Sequence, residues 1–360
     1  MKTDLPYYNY SRLLSYNGVY NFAVGGRGIG KTYGAKKMLI RNYIRKGEQF
    51  VFLRRYEDEL TAAKSTFAND VMREFPKEKF RVKGNQFEMV TATTGGEVNE
   101  KTGKPSPVVE EWSIVGYFLV LSKAQDYKGT SFPRVTTMIF DEFIIEKGFK
   151  RYLPDEHIVF NNLYSTIDRN TNRVRVFFLA NSVSINNPYF DEYEIRPDQL
   201  PEISSHFPVY DHKTGNTIPF IVVHFIESKK FTDAVYKTVF GQFIANTDYA
   251  KYAIENQFSD AHDELVEGKC PCATYKFTLE TPRLTFSVWH CRDHMRHFIL
   301  RSRPKKELMF TIIPENMAAD KTLMKLNDKP LKLLRSAFSN ARVYFDQPRT
   351  RNAFVSVLRD

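Results

Sequence analysis

The feature that most constrains this chain is Gly25-Gly26-Arg27-Gly28-Ile29-Gly30-Lys31-Thr32, which fits G-x-x-x-x-G-K-[ST]. It follows a short apolar run, Val19 to Val24, and precedes helical spacing at Ala35, Met38, Leu39 and Ile44. A strand, a glycine loop and a helix in that order is the context a phosphate-binding loop requires. Glycines let backbone N–H groups curl around phosphates, and the helix N-terminus adds positive potential. Lys31 then reaches the terminal phosphates and Thr32 offers its hydroxyl to magnesium. Gly25, Gly26, Arg27, Gly28, Ile29, Gly30, Lys31 and Thr32 are therefore the candidate ATP-binding residues. Gly47 stops the helix, and Phe50 to Leu53 reads as the next buried strand of a βαβ unit. Further apolar runs at Trp112 to Leu121, Val135 to Phe140 and Val174 to Ala180 predict an α/β fold with a mostly parallel sheet covered on both faces.

Val135-Thr136-Thr137-Met138-Ile139-Phe140-Asp141-Glu142 is an apolar strand ending in two carboxylates. Asp141 is placed to hold magnesium with Thr32, and Glu142 to polarise an attacking water as general base. Two carboxylates distinguish hydrolases from most kinases, whose acceptor is a bound hydroxyl. Asn181 ends the following strand, where ligands of open α/β sheets bind, and is the candidate sensor of the γ-phosphate; a simple turn former is the alternative.

Asp155 reads as the N-cap of a helix with Val159, Leu163 and Ile167 on one face, ending near Arg169. Arg169, with Arg173 and Arg175 behind it, is the candidate arginine supplied to a neighbouring subunit's phosphates. A helix-end arginine favoured by the dipole is the alternative. Arg54 and Arg55 are second candidates for that task or for contact with DNA. Lys123 and Lys128 sit in a basic loop before the acidic strand and are candidates for DNA or interface contact.

Charge sharpens the partner. The chain carries +10 in 360 residues, and from Ala261 to Asp360 there are 18 Lys+Arg against 11 Asp+Glu, so 18 − 11 places +7 in the last hundred. A basic excess gathered in one region favours a polyanion such as nucleic acid. No apolar run spans a bilayer and the first residues lack a signal peptide's apolar stretch, so the expectation is an intracellular protein with no membrane partner. Three domains are expected: an ATPase domain at 1–208, a linking helical subdomain at 209–260 and a basic nucleic-acid-binding domain at 261–360. The first closes near the turn Asp211-His-Lys-Thr-Gly-Asn. Thr91 to Glu111 reads as an exposed hairpin insertion carrying Lys101 and Lys104. In the last domain, strands are expected at Tyr275 to Leu279, Leu284 to Trp289 and His297 to Arg301, then a helix from Lys321 to Phe338.

Cys270-Pro-Cys272, His290-Cys291, His294 and His297 are zinc-type ligands, but C-x-C is cramped beside a standard C-x₂₋₄-C finger and no second pair follows. The cysteines are therefore read as core or surface thiols and the two later histidines as part of a basic face.

Gly25 to Tyr33, Gly47 to Tyr56 and Ile139 to Ile144, continued by Arg169-Asn170, Leu179 to Ser182 and Asn187 to Phe190, resemble the packaging ATPases of phi twenty-nine-like tailed phages. Phe240-Gly241 and Asn256 to Phe258 extend the likeness, which fades in the last hundred residues. These are additional-strand P-loop ATPases related to terminase, FtsK and HerA motors. The resemblance implies ATP and Mg2+ as cofactors at Lys31, Thr32, Asp141 and Glu142, Arg169 acting in trans, and Lys128 at a subunit or channel interface. It implies a homo-oligomeric ring, pentameric by this likeness, on the portal of a prohead in the host cytoplasm, driving double-stranded DNA inward, with a structural RNA as a further component. It also implies a smaller α+β C-terminal domain resembling an RNase H-like nuclease that has lost cleavage. Glu57 departs from the family, whose members tend to carry lysine there. A P-loop phosphotransferase and a non-catalytic nucleic-acid-binding protein with structural ATP are the rival readings, and the Asp141-Glu142 pair weighs against both.

Overall fold

In the computed structural model, the described residues are 7–95, 107–145, 151–184, 187–196, 200–247, 250, 254–255, 265–282, 284–301, 308–325, 327–347, 350–351, 353–354 and 357. Lys101 and Lys104 lie outside them. The chain divides into two units, Met1–Ser259 and Asp260–Asp360.

The first unit begins with a short helix α1 (Ser11–Leu14) and then β1 (Tyr20–Gly25), buried along its whole length. The chain turns through the glycine loop into α2 (Lys31–Lys46), which Gly47 ends in the left-handed conformation, its N–H donating to the Tyr43 carbonyl at 2.7 Å. β2 (Gln49–Arg54) and α3 (Glu57–Met72) follow, with three acidic residues in the first turn of α3. An antiparallel meander β3 (Phe80–Lys83), β4 (Gln86–Thr94) and β5 (Val109–Val120) pairs the two sides of the hairpin expected from Thr91 to Glu111, whose residues 96–106 lie outside the described ones. A 3-10 segment (Leu121–Tyr127) leads to β6 (Val135–Asp141), α4 (Glu156–Asp168), β7 (Arg175–Asn181) and α5 (Pro188–Glu192). Asp155 occupies the N-cap position of α4, but its φ is 46° and its side chain makes no capping bond.

The nine strands order as β3-β4-β5-β2-β6-β7-β1-β9-β8, where β8 is Ile203–Asp211 and β9 is Asn216–Ile226. The six from β5 to β9 are mutually parallel, so both faces must be covered. One face packs Phe22, Phe140, Phe143, Phe160, Phe178 and Tyr189, with Phe22 and Phe178 stacked at 4.3 Å. The other packs Leu39, Ile40, Phe52, Phe67, Phe87 and Phe118 under α2 and α3.

The turn expected to close the first domain is instead a hairpin within this sheet. Asp211 accepts from the Lys213 N–H and the Thr214 hydroxyl, both at 3.0 Å, and β9 lies parallel to β1. A boundary at 208 therefore falls inside β8, and the sheet continues to Ile226. Helices α6 (Lys229–Tyr236) and α7 (Val239–Ile244) follow, each capped by a hydroxyl, Ser228 and Thr238.

The second unit is a six-stranded sheet, β14-β13-β10-β11-β12-β15. β10 (Thr274–Glu280), β11 (Thr285–Cys291) and β12 (Arg296–Arg301) form an antiparallel meander, and β13 (Met309–Thr311) and β14 (Lys321–Leu323) lie parallel beyond β10. A meander extended by parallel strands on its first member is the strand order of an RNase H-like sheet. The expected helix from 321 starts later: α8 is Lys329–Ser339, with Pro330 in its first turn, and β15 (Val343–Phe345) pairs with β12. Residues 321–323 are drawn into the sheet instead, because β13 offers an edge to pair with. Among the described residues no helix is long and apolar enough to cross a membrane.

Candidate functional site

The C-terminal ends of β1, β7 and β6 lie side by side, and the loops leaving them assemble the site. Gly28 and Gly30 take φ of 81° and 85°, which other residues reach only under strain. At Gly30 a Cβ would also sit 2.6 Å from the Tyr7 ring. The N-terminal segment latches the loop in place: the Tyr8 N–H donates to the Ile29 carbonyl at 2.8 Å, and the Tyr10 hydroxyl to the Lys31 carbonyl at 2.8 Å. Arg27 is exposed and Ile29 buried.

Lys31, 7% exposed, directs its ammonium at the Gly25 and Gly26 carbonyls (2.9 and 2.8 Å) and Asn181 Oδ1 (3.2 Å). Burial pushes its pKa down to about 8, while Asp141 works in the opposite direction. Asn181 is the register partner of Gly25, so the end of β7 is held against the loop by the sheet itself. Thr32 Oγ1 donates to Asp141 Oδ1 at 2.8 Å. A hydroxyl and a carboxylate converging on one point form a hard oxygen set of the kind magnesium selects.

Immediately after β6 the chain changes direction. Glu142 has a φ of 61°, and the Phe143 N–H donates to the Leu179 carbonyl at 3.2 Å. Asp141 is thereby buried and the Glu142 side chain is left 61% exposed at the mouth of the site. Arg54 joins the two carboxylates: Nη2 meets Asp141 Oδ2 at 2.9 Å and Nη1 meets Glu142 Oε2 at 2.5 Å. These carboxylates hold the guanidinium pKa above its ordinary value despite burial. The sequence offers Arg54 to DNA or to a neighbouring subunit; the structure instead places it beside its own chain's Asp141 and Glu142.

Arg55 points to the opposite face and is corrected too. It is 2% exposed, grips Glu156 through Nε–Oε2 at 2.7 Å and Nη2–Oε1 at 2.9 Å, and donates to the Phe143 carbonyl at 2.6 Å. Glu156 is fully buried and also accepts from the Tyr189 hydroxyl and the Leu153 N–H. With both ends enclosed, Arg55 has no surface to offer a phosphate. It fixes the loop carrying Glu142.

Other predicted residues lie elsewhere. α4 runs back from the site, and its 13 residues rise about 20 Å, so Arg169 sits near the N-terminal ends of the strands, away from its own phosphate loop. It is exposed, with φ 50°, and Nη2 donates to the Thr130 carbonyl at 3.2 Å, which places Lys128 on the adjoining turn. Arg173 is committed to backbone carbonyls of Phe132, Val135, Ile167 and Asp168 and serves the turn. Arg175 donates to the Asn172 carbonyl at 3.2 Å. Lys123 pairs with Glu57 beside the end of β5, four strand positions or about 19 Å from β1.

A phosphate loop on β1, an acidic pair on β6 and one strand, β7, inserted between them define an additional-strand P-loop NTPase fold. Comparison with known proteins gives the family. The profile of the podovirus DNA encapsidation protein (Gp16) matches residues 1–102 and 104–360, and the chain belongs to that family. It is 31% identical to the DNA packaging protein of Bacillus phage phi29 over 98% of this chain and 97% of that one. With the DNA packaging protein of Bacillus phage B103 the identity is 32%, covering 94% and 96%. Among solved structures, a chain of the bacteriophage Phi-29 viral genome packaging motor assembly superposes with TM-score 0.70 and 31% identity, covering 98% of this chain and 99% of that one.

Proposed function

We propose that this chain hydrolyses ATP and uses the energy to move double-stranded viral DNA into a prohead, acting as one subunit of a homomeric ring on the portal in the host cytoplasm. The observation that carries it is the convergence of Lys31, Thr32, Asp141, Glu142 and Asn181 at three adjacent strand ends. Packaging relatives aligned over nearly the whole chain support the same reading.

In this reading Lys31 leaves the Gly25 and Gly26 carbonyls for the β- and γ-phosphates, and Asn181, already its partner, follows the γ-phosphate. Thr32 and Asp141 would hold Mg2+, which would neutralise phosphate charge when bound. Glu142, exposed on its strained turn and steadied by Arg54, takes the proton of the attacking water. Arg169, remote from its own loop, serves the site of a neighbour, with Lys128 at the same interface. Lys123 is exposed for contact with DNA phosphates, and the +7 charge of the last hundred residues suits the same polyanion.

The test is Glu142→Gln in DNA-stimulated ATPase assays. Nucleotide binding is retained while turnover falls roughly 10²–10⁴-fold, the usual worth of a general base. Undiminished turnover removes Glu142 from the chemistry, and wild-type turnover indifferent to double-stranded DNA removes the motor.

A further inference from the structure

Along the sequence the three cysteines read as core or surface thiols, yet the fold brings them together. Cys272 Sγ lies 2.9 Å from Cys270 Sγ and 2.8 Å from Cys291 Sγ, and all three sulfurs fall within 4.8 Å of one another. All three are free thiols. The β10–β11 hairpin does this: Thr274 faces His290, so the residues just before β10 meet the end of β11. Among the described residues this is the one group of three His, Cys, Asp or Glu side chains close enough to hold an ion.

Packing alone does not account for it. Cys291 is buried against Ala273 and Phe298 like any small apolar side chain, but Cys272 is exposed and gains nothing by burial. Cations flank the group: Lys269 lies 4.6 Å over the Trp289 ring and Arg296 4.7 Å over Tyr344, both rings packed at the cluster.

We propose that Cys270, Cys272 and Cys291 form a thiolate site for a soft divalent metal, zinc by ligand type, with the fourth position on the solvent side at the turn carrying His294. Sulfurs at about 2.3 Å from a tetrahedral ion stand about 3.7 Å apart, so each close pair opens by less than about 1 Å to admit it. The ion ties the segment entering β10 to the β11–β12 turn. It staples the smaller unit, whose core is modest.

The experiment uses the full-length protein, purified in reductant without chelator. Elemental analysis is expected to find one zinc per chain, released by a mercurial thiol reagent. Cobalt exchange is expected to give a sulfur-to-metal charge-transfer band and tetrahedral d–d bands. Cys272→Ser, at an exposed position where the fold stands, lowers metal affinity more than about 100-fold, beyond the usual loss of an outer-sphere partner. Protein without zinc and without the cobalt bands overturns the proposal. So does metal binding unchanged in Cys272→Ser, or a disulfide between these cysteines in protein handled under reductant.

Discussion

Replacing Arg55 by methionine tests the claim that this arginine supports the site from behind. The perturbation removes two charge-assisted bonds to Glu156, at 2.7 and 2.9 Å, and leaves that carboxylate fully buried with two neutral donors, Tyr189 and Leu153. Stranding one member of a buried pair costs about 3–5 kcal/mol. For a body of this size, each kcal/mol lowers Tm by about 2–4 °C, so the transition of the first unit drops by roughly 6–20 °C. The assay is calorimetry of the full chain, with that transition identified by its rise on adding nucleotide. Arg55→Met with Glu156→Leu removes both charges and recovers most of the loss, since buried pairs replaced by apolar groups are often neutral. Turnover does not recover with it, because the Glu142 and Phe143 carbonyls have lost their donor and Glu142, the proposed general base, its fixed turn. A single variant losing less than about 2 °C, well under the cost of a stranded buried charge, refutes the reasoning. A double variant as unstable as the sum of the singles does too.

Three further outcomes follow from the geometry. Lys31 has a folded pKa of about 8, below its ordinary 10.5, so between those values the folded chain binds fewer protons and this group's contribution to stability rises with pH. Bound phosphate raises that pKa, so nucleotide affinity falls as pH passes about 8 in wild type and stays flat in Lys31→Arg; binding of a fluorescent analogue across the window decides it. Arg54→Gln removes a charged hydrogen bond from Glu142, worth about 1.5–3 kcal/mol, so turnover falls roughly 10–100-fold while nucleotide affinity changes less; equal losses in both would make Arg54 a binding residue. Arg169→Ala subunits lose ATPase activity alone and regain it when mixed with Lys31→Ala subunits that keep Arg169, and no recovery at any mixing ratio leaves Arg169 a helix-end residue.

The central strands and the nucleotide loop are legible because local pattern decides them. A six-residue apolar run before a glycine loop has little choice but a buried strand, and the carboxylates after β6 announce their position. The β8–β9 hairpin is harder to read because Pro208 faces Pro219 at a sheet edge, where the ladder has no donors to lose and the polar face of β8 hides its periodicity. Helix α8 begins later than its apolar spacing indicates because residues 321–323 find an edge strand, a partner that spacing does not display.

Arg54 and Arg55 show how far local reading extends. Adjacent strand residues point to opposite faces, so one arginine reaches the carboxylates at the end of β6 and its neighbour the buried Glu156 at the start of α4. The alternation itself is in the sequence, and it forbids a shared role for the pair. Which face holds which acid is set by strand order, because β6 lies next to β2 only once the sheet is assembled. The cysteines obey the same logic. Their spacing fits no familiar ligand pattern when counted along the chain, but pairing β10 with β11 about the turn at Thr281 places residue 272 beside residue 291. Ligand spacing is therefore better counted through hairpin registers than along the sequence.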